Sequence, residues 1–246
     1  MNRILFEKEE LQNGLVTFGG ERAAHVLGVL HGEVGQILKT GEIDGLIGNS
    51  EIVAIERELV TVRVSHEDES LKPWVDIVLA PPRPRVLKRL LPQLATLGVG
   101  RIFLVGAKKV EKDFWGATLL KEENYRPLLI DGLMQAGTSI LPTIHLRRNF
   151  RKFMAEELDA ISANHRKLVA HPYSSSPAPI SSPSSSPTSS PLTLAIGPEG
   201  GWTDEEVALL EAHGFERYSL GSRILRTDTA TIALLAQLLP KDSASF

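Results

Sequence analysis

The stretch "LAIGPEGGWTDEE", Leu194–Glu206, decides how the rest of the chain is read. An apolar run of the kind that makes a buried strand stops abruptly in Gly-Pro-Glu-Gly-Gly, and an acidic, helix-starting segment follows at once. Glycine tolerates positive φ and lets backbone groups approach a ligand with no Cβ in the way. Thr203, with Glu206 three residues on, forms a capping-box pair that starts a helix. The stretch therefore predicts strand, turn and helix in that order, with the turn at the carboxyl end of the strand. In open parallel sheets that is the end where ligands bind.

A second glycine-bearing strand end follows some twenty residues later, in "YSLGSRILRTDTATIALLAQL". Leu220-Gly221 closes a strand, and Thr227 or Asp228 is placed to cap a helix carrying Ile232, Leu235 and Leu239. Two such ends from successive units could form two lips of one pocket. Upstream, from "WVDIVLA" onward, the strand candidates "RIFLVGA", "TIHL", "KLVAH", "LTLAIG" and "ERYSLG" alternate with helical segments. In the first of these segments Val86, Leu87, Leu90, Leu91, Leu94 and Leu97 recur at helical spacing, and Pro92 is expected to kink or divide it. Such alternation predicts an α/β domain whose parallel sheet is covered on both faces.

Residues 1–70 read differently, as short strands ("GQILKTG", "GLIGNSEIVAI", "LVTVRVSH") interrupted by one helical piece, "ERAAHVLGVL". This predicts a small, mostly antiparallel β-domain, with the α/β domain spanning 73–242 after the hinge "SHEDESLKP". Within the second domain, Pro172–Pro191 is almost wholly Ser and Pro and is expected to be a flexible surface loop.

The net charge of −3 conceals an asymmetry. Residues 1–72 carry seven Lys/Arg against thirteen Asp/Glu, whereas residues 73–172 carry sixteen against nine. A basic middle between acidic ends fits a localised site for a polyanion. A binding module without catalysis would be basic throughout, which the acidic first domain is not. No Lys-Ser or Lys-Thr follows the glycines and no G-x-G-x-x-G opens a helix, so neither a phosphate-binding hydrolase loop nor a dinucleotide fold is present. There is no cysteine, and the seven histidines are scattered without ligand spacing, so no metal is expected. The charged start, "MNRILFEKEELQNG", is unlike a signal peptide, and a cytoplasmic location is expected.

The paired segments "IGPEGGWTDEE" and "LGSRILRTDTA" closely resemble the signature of the bacterial 16S ribosomal RNA uracil-N3 methyltransferases, of the SPOUT class. The resemblance extends to "RPRVLKRLLPQLATLGVGRIFLVGAKKVEKDFW", "LMQAGTSILPTIHLRRNF" and "KLVAHP", and so to nearly the whole chain. It implies a parallel sheet with a C-terminal trefoil knot, preceded by a PUA-like β-barrel that recognises RNA, and a homodimer acting on the small ribosomal subunit. It also implies that S-adenosylmethionine is held by backbone from three loops. The first loop contributes Leu168, Ala170 and His171; the second, Ile196, Gly197, Pro198, Glu199, Gly200 and Gly201. The third contributes Leu220, Gly221, Ile224, Leu225, Arg226, Thr227, Thr229 and Ala230. Many members of that family carry Glu-Gln and a nearby Arg where this chain has Met134 and Gly137, and usually Glu where it has Asp228.

The chemistry asks for a cation. N3 of uridine is a poor nucleophile while protonated, so charge developing on the base must be stabilised. Arg226 and Arg223 are the candidate catalytic residues, and Asp228 or a water is the candidate proton acceptor.

Overall fold

Alternating buried and exposed side chains along β4 (Ile47–Glu56) and β5 (Leu59–Asp68) make the longest strands of the molecule, a computed structural model describing residues 2–172 and 191–240. Apart from its end residues Pro172 and Pro191, the Ser/Pro segment predicted as a flexible loop lies outside the described residues. The chain divides into two units. One comprises Met1–Lys72 and Leu129–Leu141; the other, Pro73–Leu128 and Pro142–Phe246.

In the first unit, β4 and β5 join β1 (Ile4–Phe6), β2 (Leu15–Phe18) and β3 (Ile37–Glu42) in the order β1-β3-β4-β5-β2. All pairings are antiparallel except β1 with β3. Helix α1 (Gly20–Gly28) supplies Ala23 and Val26 to a core built on Phe6, Phe18, Ile52, Val60 and Val62. The predicted strands and helix are all present, but β1 and β2 are additional. At three and four residues they are too short to display an alternation. The Arg3 guanidinium donates to the carbonyls of Thr40 (2.7 Å), Gly48 (3.0 Å) and Gly137 (2.9 Å), tying the start of the chain to β3, β4 and the segment at Gly137.

The second unit is a six-stranded, wholly parallel sheet: β6 (Val75–Leu79), β7 (Val99–Val105), β8 (Thr143–Arg147), β9 (Arg166–Ala170), β10 (Leu192–Ile196) and β11 (Glu216–Tyr218). Every residue of β6 and β10 is buried, as a parallel sheet covered on both faces requires. Helix α2 (Pro84–Thr96) follows β6, and α3 (Glu122–Ala136) follows the long connection after β7. Two short helices, α4 (Phe150–Phe153) and α5 (Asp159–Ile161), are joined by a π-turn, and α6 (Asp204–Ala212) and α7 (Thr227–Leu238) complete the unit. Pro92 does not divide α2. The helix buries Leu87, Leu90, Leu91, Leu94 and Ala95, and that packing offsets the one backbone hydrogen bond a proline removes.

Strand order is β11-β9-β10-β6-β7-β8. From β6 the chain moves outward through β7 and β8 to one edge, then crosses to β9 on the far side. β10 inserts between β9 and β6. The direction of winding therefore reverses between β6 and β10, a topological switch point of the kind that leaves a crevice at the carboxyl ends of its strands.

Candidate active site

The loop after β10 sits at that switch point and is fastened on several sides. Gly201 has φ +67°, and its N–H donates to the Pro198 carbonyl at 2.8 Å, closing the turn. The expected capping box is formed: Glu206 Oε2 accepts from the Thr203 N–H (2.8 Å), and Thr203 Oγ1 accepts from the Glu206 N–H (3.3 Å). The other oxygen of this buried carboxylate accepts from the Lys108 N–H at 2.7 Å, joining the loop to the end of β7. Glu199 Oε1 accepts from the Arg83 N–H at the start of α2 (3.0 Å), and Lys109 Nζ donates to the Gly200 carbonyl (2.7 Å). Trp202 is buried and stacks on Phe150 with ring centroids 5.3 Å apart. Within this turn the positive φ belongs to Gly201 and not to Gly200. A Cβ on Gly200 would meet only the Lys109 side chain, 2.9 Å from its Cδ. Gly197 carries the backbone constraint, because a Cβ there would lie 2.9 Å from the Trp202 amide nitrogen.

The other two candidate loops rise from neighbouring strands. Leu168 is buried in β9 opposite Leu194 of β10, and Ala170 pairs with Tyr218 of β11. The His171 N–H donates to the Tyr218 carbonyl at 3.1 Å. Gly221 has φ +110°, and its N–H donates to Ser219 Oγ at 3.1 Å. Leu220, Ile224 and Leu225 are exposed, Ile224 at 77%. Three adjacent strands thus bring Ile196–Gly201, Leu168–His171 and the segment from Leu220 to one edge of the sheet. Arg223 and Arg226 are exposed, and neither forms an ion pair with another described residue.

The start of α7 differs from expectation. Arg226, extended at φ −65° and ψ 152°, is the residue before the helix, and no side chain caps it. Thr227 is buried within the first turn, Thr229 is exposed, and the Ala230 N–H donates to the Arg226 carbonyl at 2.8 Å. Asp228 Oδ2 accepts from Arg89 of α2 at 3.3 Å, joining α7 to α2, and Oδ1 accepts from the Thr229 N–H within α7 at 2.9 Å, so both oxygens are engaged.

Residues 69–239 match the RNA methyltransferase domain family. The chain belongs to that family. It is 34% identical over 245 residues to ribosomal RNA small subunit methyltransferase E of Treponema pallidum, covering 97% of this chain and 91% of the relative. It is 26% identical to methyltransferase E 1 of Borreliella burgdorferi, covering 95% of each. A methyltransferase from Legionella pneumophila, solved with bound S-adenosylmethionine, superposes with a TM-score of 0.71 at 28% identity, covering 96% of both chains. The small subunit methyltransferase E of Neisseria gonorrhoeae shares the fold, with a TM-score of 0.74 at 20% identity and coverage of 97% of this chain and 96% of that one.

Two of the family departures have local explanations. Gly137 adopts φ +76° and ends α3, its N–H donating to the Leu133 carbonyl at 2.8 Å. The Met134 carbonyl accepts from the N–H groups of Asn2 (3.0 Å) and Arg3 (3.1 Å), a backbone role open to any side chain.

The ends of β6, β7 and β8 carry functional groups that sequence reasoning did not select. A Cβ on Gly106 would collide with the Arg148 carbonyl, so glycine is obligatory where β7 and β8 end side by side. The Arg148 guanidinium lies 5.8 Å from the Trp115 ring centroid, and a cleft of about 770 Å³ opens between Pro84, Lys112, Trp115 and Arg148. The available signal was "GAKKVEKDFWG", a tryptophan set among lysines just past a strand end. Among the described residues no helix is long and apolar enough to cross a membrane, and no group of three or more His, Asp or Glu could hold a metal.

Proposed function

We infer that the protein transfers a methyl group from S-adenosylmethionine to ribosomal RNA of the small subunit. The observation that carries this reading is the gathering of three loops at adjacent parallel strand ends, two with glycines at positive φ, in a chain akin over nearly its whole length to a small subunit methyltransferase. The donor fits this edge. Cβ positions built on Gly201 and Gly221 face open space, and Leu220, Ile224 and Leu225 offer apolar surface that is otherwise exposed to water. The residues proposed to hold it are those of the three loops.

When bound, S-adenosylmethionine supplies an electrophilic methyl group. The protein's own task is to place uridine N3 in line with it and to stabilise the imide anion. Arg226 and Arg223 are the proposed cations, since both are uncommitted among the described residues and flank the third loop. Asp228 is engaged by Arg89 and Thr229, which favours water as proton acceptor.

Four finer features complete the proposal. The target is N3 of one specific uridine in 16S ribosomal RNA. The C-terminal segment threads as a trefoil knot of the SPOUT class, a reading supported by β10 inserting between β9 and β6 and by α7 returning onto α2. Residues 1–70 act as a PUA-like RNA-recognition domain, consistent with a five-stranded sheet carrying one helix. The protein works as a cytoplasmic homodimer, because Ile224, Leu225, Ile232 and Leu239 leave a run of exposed apolar side chains on and before α7.

The test is calorimetric titration with S-adenosylmethionine, followed by methylation of small subunits from a strain lacking the gene and mapping of the modified nucleotide. Donor binding with methylation of a single uridine at N3 is expected. Absence of donor binding would overturn the enzymatic reading and leave an RNA-binding scaffold.

A further inference from the structure

We propose that the cleft between Trp115 and Arg148 holds one unpaired RNA nucleotide adjacent to the methylated base, with its base stacked on the aromatic–guanidinium pair and its phosphate on Lys112 and Arg148. The proposal rests on RNA being the substrate, and it assigns the cleft a part in selecting that RNA.

The site is constructed rather than incidental. Trp115 is half-exposed, and its neighbour Phe114 is buried and meets it edge-on with centroids 5.4 Å apart, anchoring the indole. Arg148 is held at both ends. Its carbonyl lies against Gly106, and its Nη2 donates to the Trp115 carbonyl at 3.3 Å while the guanidinium covers the ring. Among the described residues neither Lys112 nor Arg148 has a carboxylate partner, so both charges remain available, with Asp113 the one acidic residue lining the cleft. The cleft is open to solvent along one side, as a site for one nucleotide of a longer strand must be. Unpaired RNA bases stack on aromatic rings and on arginine planes, and phosphates seek fixed cations; this cleft offers all three.

Its location ties it to the reaction. Pro84 lines the cleft, and the preceding Arg83 has its N–H held by Glu199 of the Gly-Pro-Glu-Gly-Gly loop. The Arg83 side chain pairs with Glu111 at 3.1 Å, immediately before Lys112. A nucleotide in this cleft is therefore a near neighbour of the proposed donor loop, within one unit of the fold.

The experiment follows intrinsic tryptophan fluorescence and binding on addition of a single-stranded RNA covering the methylated uridine, in the full-length protein. Trp202 is buried while Trp74, like Trp115, is only partly buried, so the quenching due to Trp115 is the part that Trp115→Phe removes. RNA should quench the wild-type protein, whereas Trp115→Phe should bind nearly as well without that quenching. Trp115→Ala should raise the Kd by roughly 5- to 150-fold, the loss expected for one stacked base, and leave S-adenosylmethionine affinity within twofold. Lys112→Gln provides a second variant, expected to weaken binding and flatten its salt dependence. Unchanged RNA affinity in both Trp115→Ala and Lys112→Gln would overturn the proposal. Quenching by RNA in a protein that binds no S-adenosylmethionine would uphold the cleft and overturn the methyl-transfer reading instead.

Discussion

The three glycines of Gly197-Pro-Glu-Gly-Gly do different physical jobs, and replacing each with alanine should separate them. Gly201 lies at φ +67°, where an L-residue costs roughly 1–2 kcal/mol even though its Cβ would face open space. For a chain of this size each kcal/mol lowers Tm by roughly 2–4 °C, so Gly201→Ala should lose about 2–8 °C. Gly197 must admit a Cβ 2.9 Å from the Trp202 amide nitrogen, which cannot yield without moving the buried indole, so Gly197→Ala should cost at least as much. Gly200 is the contrast. Its Cβ would displace only the Lys109 side chain and the single bond from Nζ to the Gly200 carbonyl, an exposed contact worth about 1 kcal/mol or less. Gly200→Ala should therefore stay within about 2 °C of the wild-type Tm. The larger Gly200→Val should fold yet lose most S-adenosylmethionine affinity through bulk at the loop surface. Differential scanning calorimetry and isothermal titration make both measurements. A Gly200→Ala protein destabilised as much as Gly201→Ala would refute the division of roles, and undiminished donor binding by Gly200→Val would remove this loop from the donor site.

Arg226→Ala should keep S-adenosylmethionine affinity within a few-fold while lowering the methylation rate by on the order of 100-fold, as expected when one charge-stabilising contact is lost; normal turnover would shift the role to Arg223. Sedimentation equilibrium should give a dimer, and Ile224→Glu, placing a charge on the most exposed of the apolar side chains, should shift it toward monomer; a wild-type monomer would refute the shared interface. Burial holds His66, His145 and His165 below their ordinary value of 6.5, so the unfolded chain binds more protons than the folded one as pH falls through that value. Stability from these histidines is complete above about 6.5 and is lost progressively below it. Tm should thus fall between about pH 7.5 and 5.5, and a Tm that rose over that interval would contradict the sign.

The parallel sheet was legible because its strands are apolar runs, as at "VDIVLA" and "LTLAIG", punctuated by glycine or proline. The turns after β10 and β11 were legible for a related reason: Gly201 and Gly221 stand where the chain must turn with positive φ, and the Thr203–Glu206 box is wholly local in sequence. What escaped notice depends on contacts distant in sequence. Gly106 looks unremarkable until β8 places the Arg148 carbonyl against it, and Glu206 reads as a cap until the Lys108 amide arrives from another strand end. Pro92 misled because local geometry argues for a break, whereas buried leucines on either side hold the helix together. At Arg226 the rule that Thr or Asp caps a helix gave way to packing, which buries Thr227 and commits Asp228 to Arg89.

The sheet topology also explains how a chain of net charge −3 can serve a polyanion. Its basic middle segment supplies β6, β7 and β8 on one side of the switch point and β9 on the other, and the loops proposed to hold the donor rise from β9, β10 and β11. Much of the positive charge at the first group is already balanced, Arg83 by Glu111 and Arg151 by Glu205. Those pairs fix loop geometry and contribute little attraction. Lys112 and Arg148 are left without carboxylate partners among the described residues, and both line the cleft beside the half-exposed Trp115. On the proposed reading, RNA recognition by this unit depends less on its total charge than on the cations that the fold leaves unpaired. Strand order sets those cations beside the loop at Gly197–Gly201, so that a nucleotide held by charge and stacking lies next to the proposed point of methyl transfer.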